Sequence, residues 1–325
     1  MRGTLLSQIR KNILGVILFF LVVVAGLLIF SDVSKVGAIL GQFNWTLLPL
    51  ILTLTLLDDL LRFMKWSYFL KRIEISLSLK DSASIFFGGL AMAITPGKIG
   101  ETIKAYFVKQ RTGVPMSKTL PVVVMERLTD LIAVVILAAI GAVYFQYGIL
   151  VTAIMSLLIF SFILVVQRES LSVWIIDKMA SFPLVRRYNE SIQQFYKGSY
   201  ELLKIRRLAF AIAISMVAWG SECLGLYIVY YGLGHSQSFL LSSFVFSFSS
   251  VAGAISTLPG GLGVAEASMT GIMAAIGIER SVAVSAMLLI RFCTLWFGFL
   301  VGFIVLMVNW KKFNLSQSRG GPCQE

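Results

Sequence analysis

Apolar residues along this chain come in long runs rather than in alternation. The runs at 13–30, 45–61, 117–145, 148–167, 208–232 and 279–309 are each long enough to cross a bilayer as a helix. Two further apolar runs, 79–95 and 239–258, each end in a break. The first break, "TPGKIGETIK", holds Pro96, Gly97 and Gly100; the second, "LPGGLGVAEA", holds Pro259, Gly260, Gly261 and Gly263. Proline removes a backbone donor and glycine frees the backbone, so both interrupt a helix. The pieces that follow, 99–111 and 262–276, reach only about 20 and 22 Å as helices, short of a hydrocarbon core of about 30 Å. The pattern predicts an all-α polytopic membrane protein. It has six full crossings and two re-entrant hairpins, each of which enters, breaks at Pro-Gly and returns to its own side.

The two breaks belong to a longer internal repeat. Pro96, Gly97 and Gly100 recur 163 positions later as Pro259, Gly260 and Gly263, and Asp59 recurs at the same offset as Glu222. Gly113 and Arg127 recur 164 positions later as Gly277 and Arg291. A first repeat at about 46–145 and a second at about 209–309 are thus predicted within one integral membrane domain, 1–312. Three full crossings separate equivalent points, and an odd number inverts the second copy. Between the repeats, 169–207 is the longest polar stretch. Ile192, Phe195, Tyr196, Tyr200 and Leu203 share one helical face there, and Lys197 and Lys204 lie off it, as expected of a connector lying on a membrane surface. Residues 313–325 are read as a disordered cytoplasmic tail.

Composition agrees with lipid as the main solvent: 58% of the 325 residues are hydrophobic and 14% charged, and the mean hydropathy is +0.87. The formal net charge of +12 is assigned to loops facing an anionic leaflet, not to nucleic acid. With both termini inside, the inner segments collect Arg62, Lys65, Lys71, Arg72 and Lys80, then Lys98, Lys104, Lys109, Arg111 and Lys118, and the basic residues of 168–207. The outer segments keep only Lys35 and Arg280. This is the asymmetry that cytoplasmic loops carry. The apolar run at 13–30 follows Arg10 and Lys11 without a small-residue cleavage site and is read as a retained helix. Cys223, Cys293 and Cys323 have no disulfide or zinc spacing, and His235 is the only histidine. No metal, no cofactor and no Ser-His-Asp chemistry is therefore expected.

Candidate chemistry sits on the charges at depth. Arg127 and Arg291 fall ten and twelve residues into their helices, about 15 and 18 Å in. An arginine there requires a partner or a wet cavity. Glu101, Glu126, Asp130 and Glu266, with Asp58, Asp59 and Glu222, are the candidate partners; Lys98 and Lys104 flank the first break. One reading is a set of ion pairs that fix helix packing. The other is a substrate site in which guanidinium groups, helped by the helix N-termini at the breaks, hold a phosphate-bearing headgroup.

The stretches "TPGKIGETIKAYFVKQRTGV", "ERLTDL", "LPGGLGVAEA" and "LLIRFCTLW" resemble the membrane part of lysylphosphatidylglycerol synthases, also found as stand-alone flippase-like membrane proteins. The resemblance covers nearly the whole chain. In the fused synthases this part is implicated in flipping aminoacylated phosphatidylglycerol, so the resemblance implies lipid movement between leaflets of a plasma membrane and fixes no substrate. An anionic or phosphate-bearing lipid is the expectation from the arginines. Since these residues include no aminoacyl-transferase portion, no synthase activity is implied. The second motif departs from the family in having Ala265 where Arg often precedes the glutamate, so no headgroup contact is carried over there. Two alternatives stand beside a lipid transporter. One is a non-transporting membrane partner of a glycosyltransferase or lipid synthase. The other is a membrane-embedded transferase using Glu101 or Glu266.

Overall fold

The computed structural model describes residues 32–92, 100–142 and 189–309, with scattered positions between 18 and 29 and at 153 and 157. Most of the predicted crossings at 148–167 and 13–30, the first break with Pro96, Gly97 and Lys98, residues 169–188 of the connector and the tail lie outside the described residues. The described residues are helical, with no strand among them.

Helix α1, Val33–Gln42, begins at Asp32, whose carboxylate accepts from the Ser34 and Lys35 amides. This helix stands in what the hydropathy pattern left as an outer loop. After a 3₁₀ turn at Trp45–Leu47, α2 runs Leu48–Arg72 with a proline in its first turn, where a missing N–H costs nothing. Its 25 residues make a rod of about 38 Å. The run at 45–61 therefore understates it: Arg62 and Lys65, assigned above to an inner loop, lie inside the helix, and Lys65 is completely buried. Charge ends a hydropathy window without ending a helix. Then follow α3, Leu79–Leu90; α4, Ile103–Thr112; α5, Met116–Gly141; and α6, Asn189–Leu202. The second set comprises α7, Ile205–Gly232; α8, Phe239–Ile255; α9, Val264–Ala275; and a last rod made of α10, Arg280–Arg291, a π turn at Phe292–Trp296 and α11, Phe297–Val308. The rod Arg280–Val308 and α7 are both long and apolar enough to cross a membrane.

The two sets share local geometry as well as order. Helix α2 ends with the Ile75 amide donating to Leu70 O, and α7 with the His235 amide donating to Tyr230 O. Ser78 then caps α3 and Ser238 caps α8 through their hydroxyls. Gly113 after α4 and Gly277 after α9 both have positive φ, 74° and 87°.

Packing between the sets is reciprocal. Helix α3 lies on α11, and α8 lies on α5. Helices α2 and α7, the first of each set, pack on one another and run in opposite directions. Gly232 meets Phe43, Gly225 faces Ile51, Ser221 Oγ donates to Leu54 O (3.1 Å), Lys65 Nζ donates to Ser215 Oγ (2.7 Å), and Tyr68 meets Phe210. Two apolar cores result. One gathers Ile51, Leu226, Val229, Met269, Met287 and Ile290; the other gathers Trp66, Phe69, Ile85, Phe86, Val122 and Met125. Helix α2 contributes to both, and its charged stretch from Asp58 to Lys65 lies between. Helix α6 packs along α5 rather than standing free: Gly198 fits against Pro121, Ser117 Oγ donates to Gln194 Oε1 (2.6 Å), and Leu202 and Leu203 are buried.

Candidate functional site

Where the two sets meet there is a cavity of about 360 Å³. Its charged wall is Asp58, Asp59, Arg62, Glu101, Arg127, Asp130, Glu222 and Arg291; Leu131, Val134, Trp219, Phe246, Val251 and Phe299 are among its apolar neighbours. Both arginines read from the sequence as deep therefore arrive at one space, from α5 and from the end of α10.

Each set supplies the same Glu–Arg device. Glu101, in the 3₁₀ turn before α4, pairs with Arg127 of α5, and Glu266, in the first turn of α9, pairs with Arg291 at 2.6 Å. Glu101 and Glu266 are 3% and 0% exposed, so neither carboxylate could remain without a cation at low cost. The second break explains the placement of Glu266. The chain turns at Pro259–Gly261 with φ of 62° at Gly260, 68° at Gly261 and 86° at Gly263. A Cβ on Gly261 would lie 3.0 Å from Gly253 Cα. Glycine is required there twice over, by backbone angle and by the close passage of α8. Gly260, Gly261 and Ala265 then face the cavity, and the Gly263 amide donates to Glu266 Oε2 at 2.6 Å. That donor at the helix N-terminus, read from sequence as open to a substrate anion, is occupied by the helix's own glutamate.

The first set carries more. Asp130 lies 2.5 Å from Lys65 Nζ, 3.5 Å from Arg62 and 3.7 Å from Arg127. Arg62 also holds Asp58 at 2.8 Å and lies over the Trp219 ring, 4.7 Å from its centroid. The positions that correspond to Asp58, Arg62, Lys65 and Asp130 in the second set are Ser221, Gly225, Ile228 and Thr294. The cavity thus has one heavily charged flank and one sparse flank. Arg62 and Lys65 were missed by reading charge as loop; the i,i+4 spacing of Asp58 and Arg62 is their signal in the sequence.

Of the other predicted residues, Lys104 and Glu126 pair with each other at 2.7 Å behind the wall, with Lys104 over the Trp66 and Phe86 rings. They back the site without lining it. Gly100 opens the turn that carries Glu101. Arg127 is the most open of the pairing cations here, its side chain 30% exposed, and its Nε has no hydrogen-bond partner. A guanidinium left partly open beside an apolar space can take an oxyanion.

Residues 12–302 match the family described as the lysylphosphatidylglycerol synthase TM region. Curated relatives include the UPF0104 membrane protein PH1989 of Pyrococcus horikoshii, 27% identical over 286 residues, covering 78% of this chain and 84% of that protein. The UPF0104 membrane protein MJ1595 of Methanocaldococcus jannaschii is 24% identical over 93% of this chain and 96% of its own length. A UPF0104 membrane protein of Methanothermobacter thermautotrophicus is 24% identical over 85% and 87%. The chain therefore belongs to the lysylphosphatidylglycerol synthase transmembrane-region family and is a multi-pass helical membrane protein.

Proposed function

We propose that this protein moves a phosphate-bearing lipid, or a lipid-linked headgroup, between the leaflets of the plasma membrane without chemically altering it. The observation that carries the reading is the convergence of Arg62, Arg127 and Arg291 on one cavity at the seam of two like sets of helices. A headgroup phosphate takes its place among the guanidiniums, loosening the Glu101–Arg127 and Glu266–Arg291 pairs. The apolar wall around Leu131, Val134, Val251 and Phe299 lets the acyl chains remain in lipid.

In this reading the two sets form an inverted repeat, with α3–α4 and α8–α9 as hairpins entering from opposite faces and both termini in the cytoplasm. Support comes from the antiparallel passage of α2 and α7 and from the reciprocal packing of α3 on α11 and α8 on α5. Repeats of this kind rock against each other around a midplane site, opening it to each side in turn.

The test is transport of fluorescent NBD-phosphatidylglycerol in proteoliposomes. The Arg127→Gln, Arg291→Gln double variant is expected to lose at least tenfold in rate while remaining folded by thermal unfolding, the response of lost phosphate contacts. Undiminished transport by the folded double variant eliminates the headgroup role. A loss confined to stability returns these residues to structural ion pairs.

A further inference from the structure

Among the described residues seven carboxyl side chains are buried: Asp58, Asp59, Glu101, Glu126, Asp130, Glu222 and Glu266. Five of them lie within ion-pair distance of an arginine or lysine. Asp59 and Glu222 do not. They are 5% and 6% exposed, and Asp59 Oδ2 and Glu222 Oε2 have no hydrogen-bond partner. These are also the two carboxyls found 163 positions apart, on α2 and α7, and both line the cavity.

Other charges approach this pair without closing on it. Asp58 and Arg62 come from α2, Arg127 and Asp130 from α5, and Arg291 from α10; the buried Cys293 thiol follows in the π turn. Glu222 is within electrostatic reach of Asp58, Asp59, Arg62 and Arg291, yet every arginine among these has a different carboxylate as its close partner. A carboxylate that lacks a cation and a donor must be neutralised before apolar walls can close over it. No group of three His, Cys, Asp or Glu side chains arranged to hold a metal ion occurs among the described residues. A proton is the neutralising ligand that needs no such cage.

We propose that Asp59 and Glu222 are the proton-binding pair of this cavity, one carboxyl per repeat, and that proton exchange on them drives the headgroup through. The proposal rests on the transport reading above. A hydronium on one side gives its proton to a free carboxylate oxygen; the repeats close and reopen; the acid returns the proton to water on the other side and the carboxylate is restored.

The test uses phosphatidylcholine proteoliposomes with NBD-phosphatidylglycerol under a one-unit pH gradient at clamped voltage. The wild type is expected to shift the steady-state leaflet ratio of the lipid about tenfold for each coupled proton. Asp59→Asn and Glu222→Gln are expected to flatten that response, and Asp59→Glu and Glu222→Asp to restore it. Transport whose leaflet ratio ignores the pH gradient, or follows a sodium gradient at fixed pH, overturns the coupling and leaves the headgroup reading standing. If no NBD-phosphatidylglycerol moves under any condition, the headgroup reading fails and infrared titration decides the proton site. A carboxylic-acid C=O band that titrates in the wild type and weakens in each of Asp59→Asn and Glu222→Gln upholds it; lack of such a band removes it.

Discussion

Lys65 illustrates what a buried charge costs and what its partners do. Its Nζ has four acceptors: Asp130 at 2.5 Å, Ser215 Oγ at 2.7 Å, Thr129 Oγ1 at 3.1 Å and Glu126 O at 3.3 Å. An ammonium has three protons to donate, so the position is saturated and has no capacity left for a substrate. This separates it from Arg127, whose side chain is 30% exposed and lines the cavity. Lys65→Met leaves Asp130 short of its nearest cation, with Arg62 and Arg127 still within 4 Å. The expected loss is about 3 kcal/mol, the lower end for breaking a buried pair, read as a fall in thermal unfolding temperature. Lys197→Met, on the exposed side of α6, is expected to change stability by no more than about 0.5 kcal/mol. The depth of Arg127 and Arg291 was legible from their distance into apolar runs, and the Asp59–Glu222 match from the repeat. Lys65 was not legible, because a lysine at the edge of an apolar run reads as loop until its carboxylate, 65 residues further on, is in place.

At the scale of elements, the walls of the cavity depend on backbones that touch. A Cβ on Gly302 of α11 would collide with the Ala91 amide nitrogen, with Leu90 Cβ at 2.9 Å and with Phe87 O at 2.9 Å. On the reciprocal contact, a Cβ on Gly141 of α5 would strike Leu240 O at 2.6 Å and the Phe244 amide at 2.7 Å. Backbone atoms have no rotamer by which to yield, so Gly302→Ala must part α3 from α11. These elements bring Leu90, Gly298 and Phe299 to the cavity. The expected result is a loss of about 1–3 kcal/mol, as for other overpacked sites, together with impaired lipid transport. Gly271→Ala in α9 meets nothing within 4 Å and is expected to gain up to about 1 kcal/mol in helix propensity; equal loss of stability in both variants contradicts this account. Pro259, Gly260, Gly261 and Gly263 announced their break because their residue types have few other uses inside an apolar run. The π turn at Phe292–Trp296 left no such mark. "FCTLW" is made of ordinary apolar-helix residues, with no proline or glycine to mark the wider turn.

Across the whole molecule, the proposed alternating access requires that the two sets be oppositely oriented. Helix α2 ends at a turn holding Glu74 and Ser76, and α7 ends at one holding His235 and Ser236. Because the two helices run antiparallel, these turns lie at opposite ends of the helix pair. Lys71, Arg72 and Lys80 flank the first turn, the basic signature of a cytoplasmic face. Ser76 and Ser236 are both exposed, and Cys223 and Cys293 are buried. Replacing Cys323 with serine and adding one cysteine at a time therefore gives a clean reporter. In intact cells a membrane-impermeant maleimide is expected to label Ser236→Cys and to spare Ser76→Cys, which reacts once the membrane is opened. Labelling of both from the same side would place α2 and α7 otherwise than across the bilayer in opposite directions, and the rocking mechanism would lose its basis. Labelling of Ser76→Cys alone would keep the inverted repeat and reverse the orientation, moving the basic turns to the outer face.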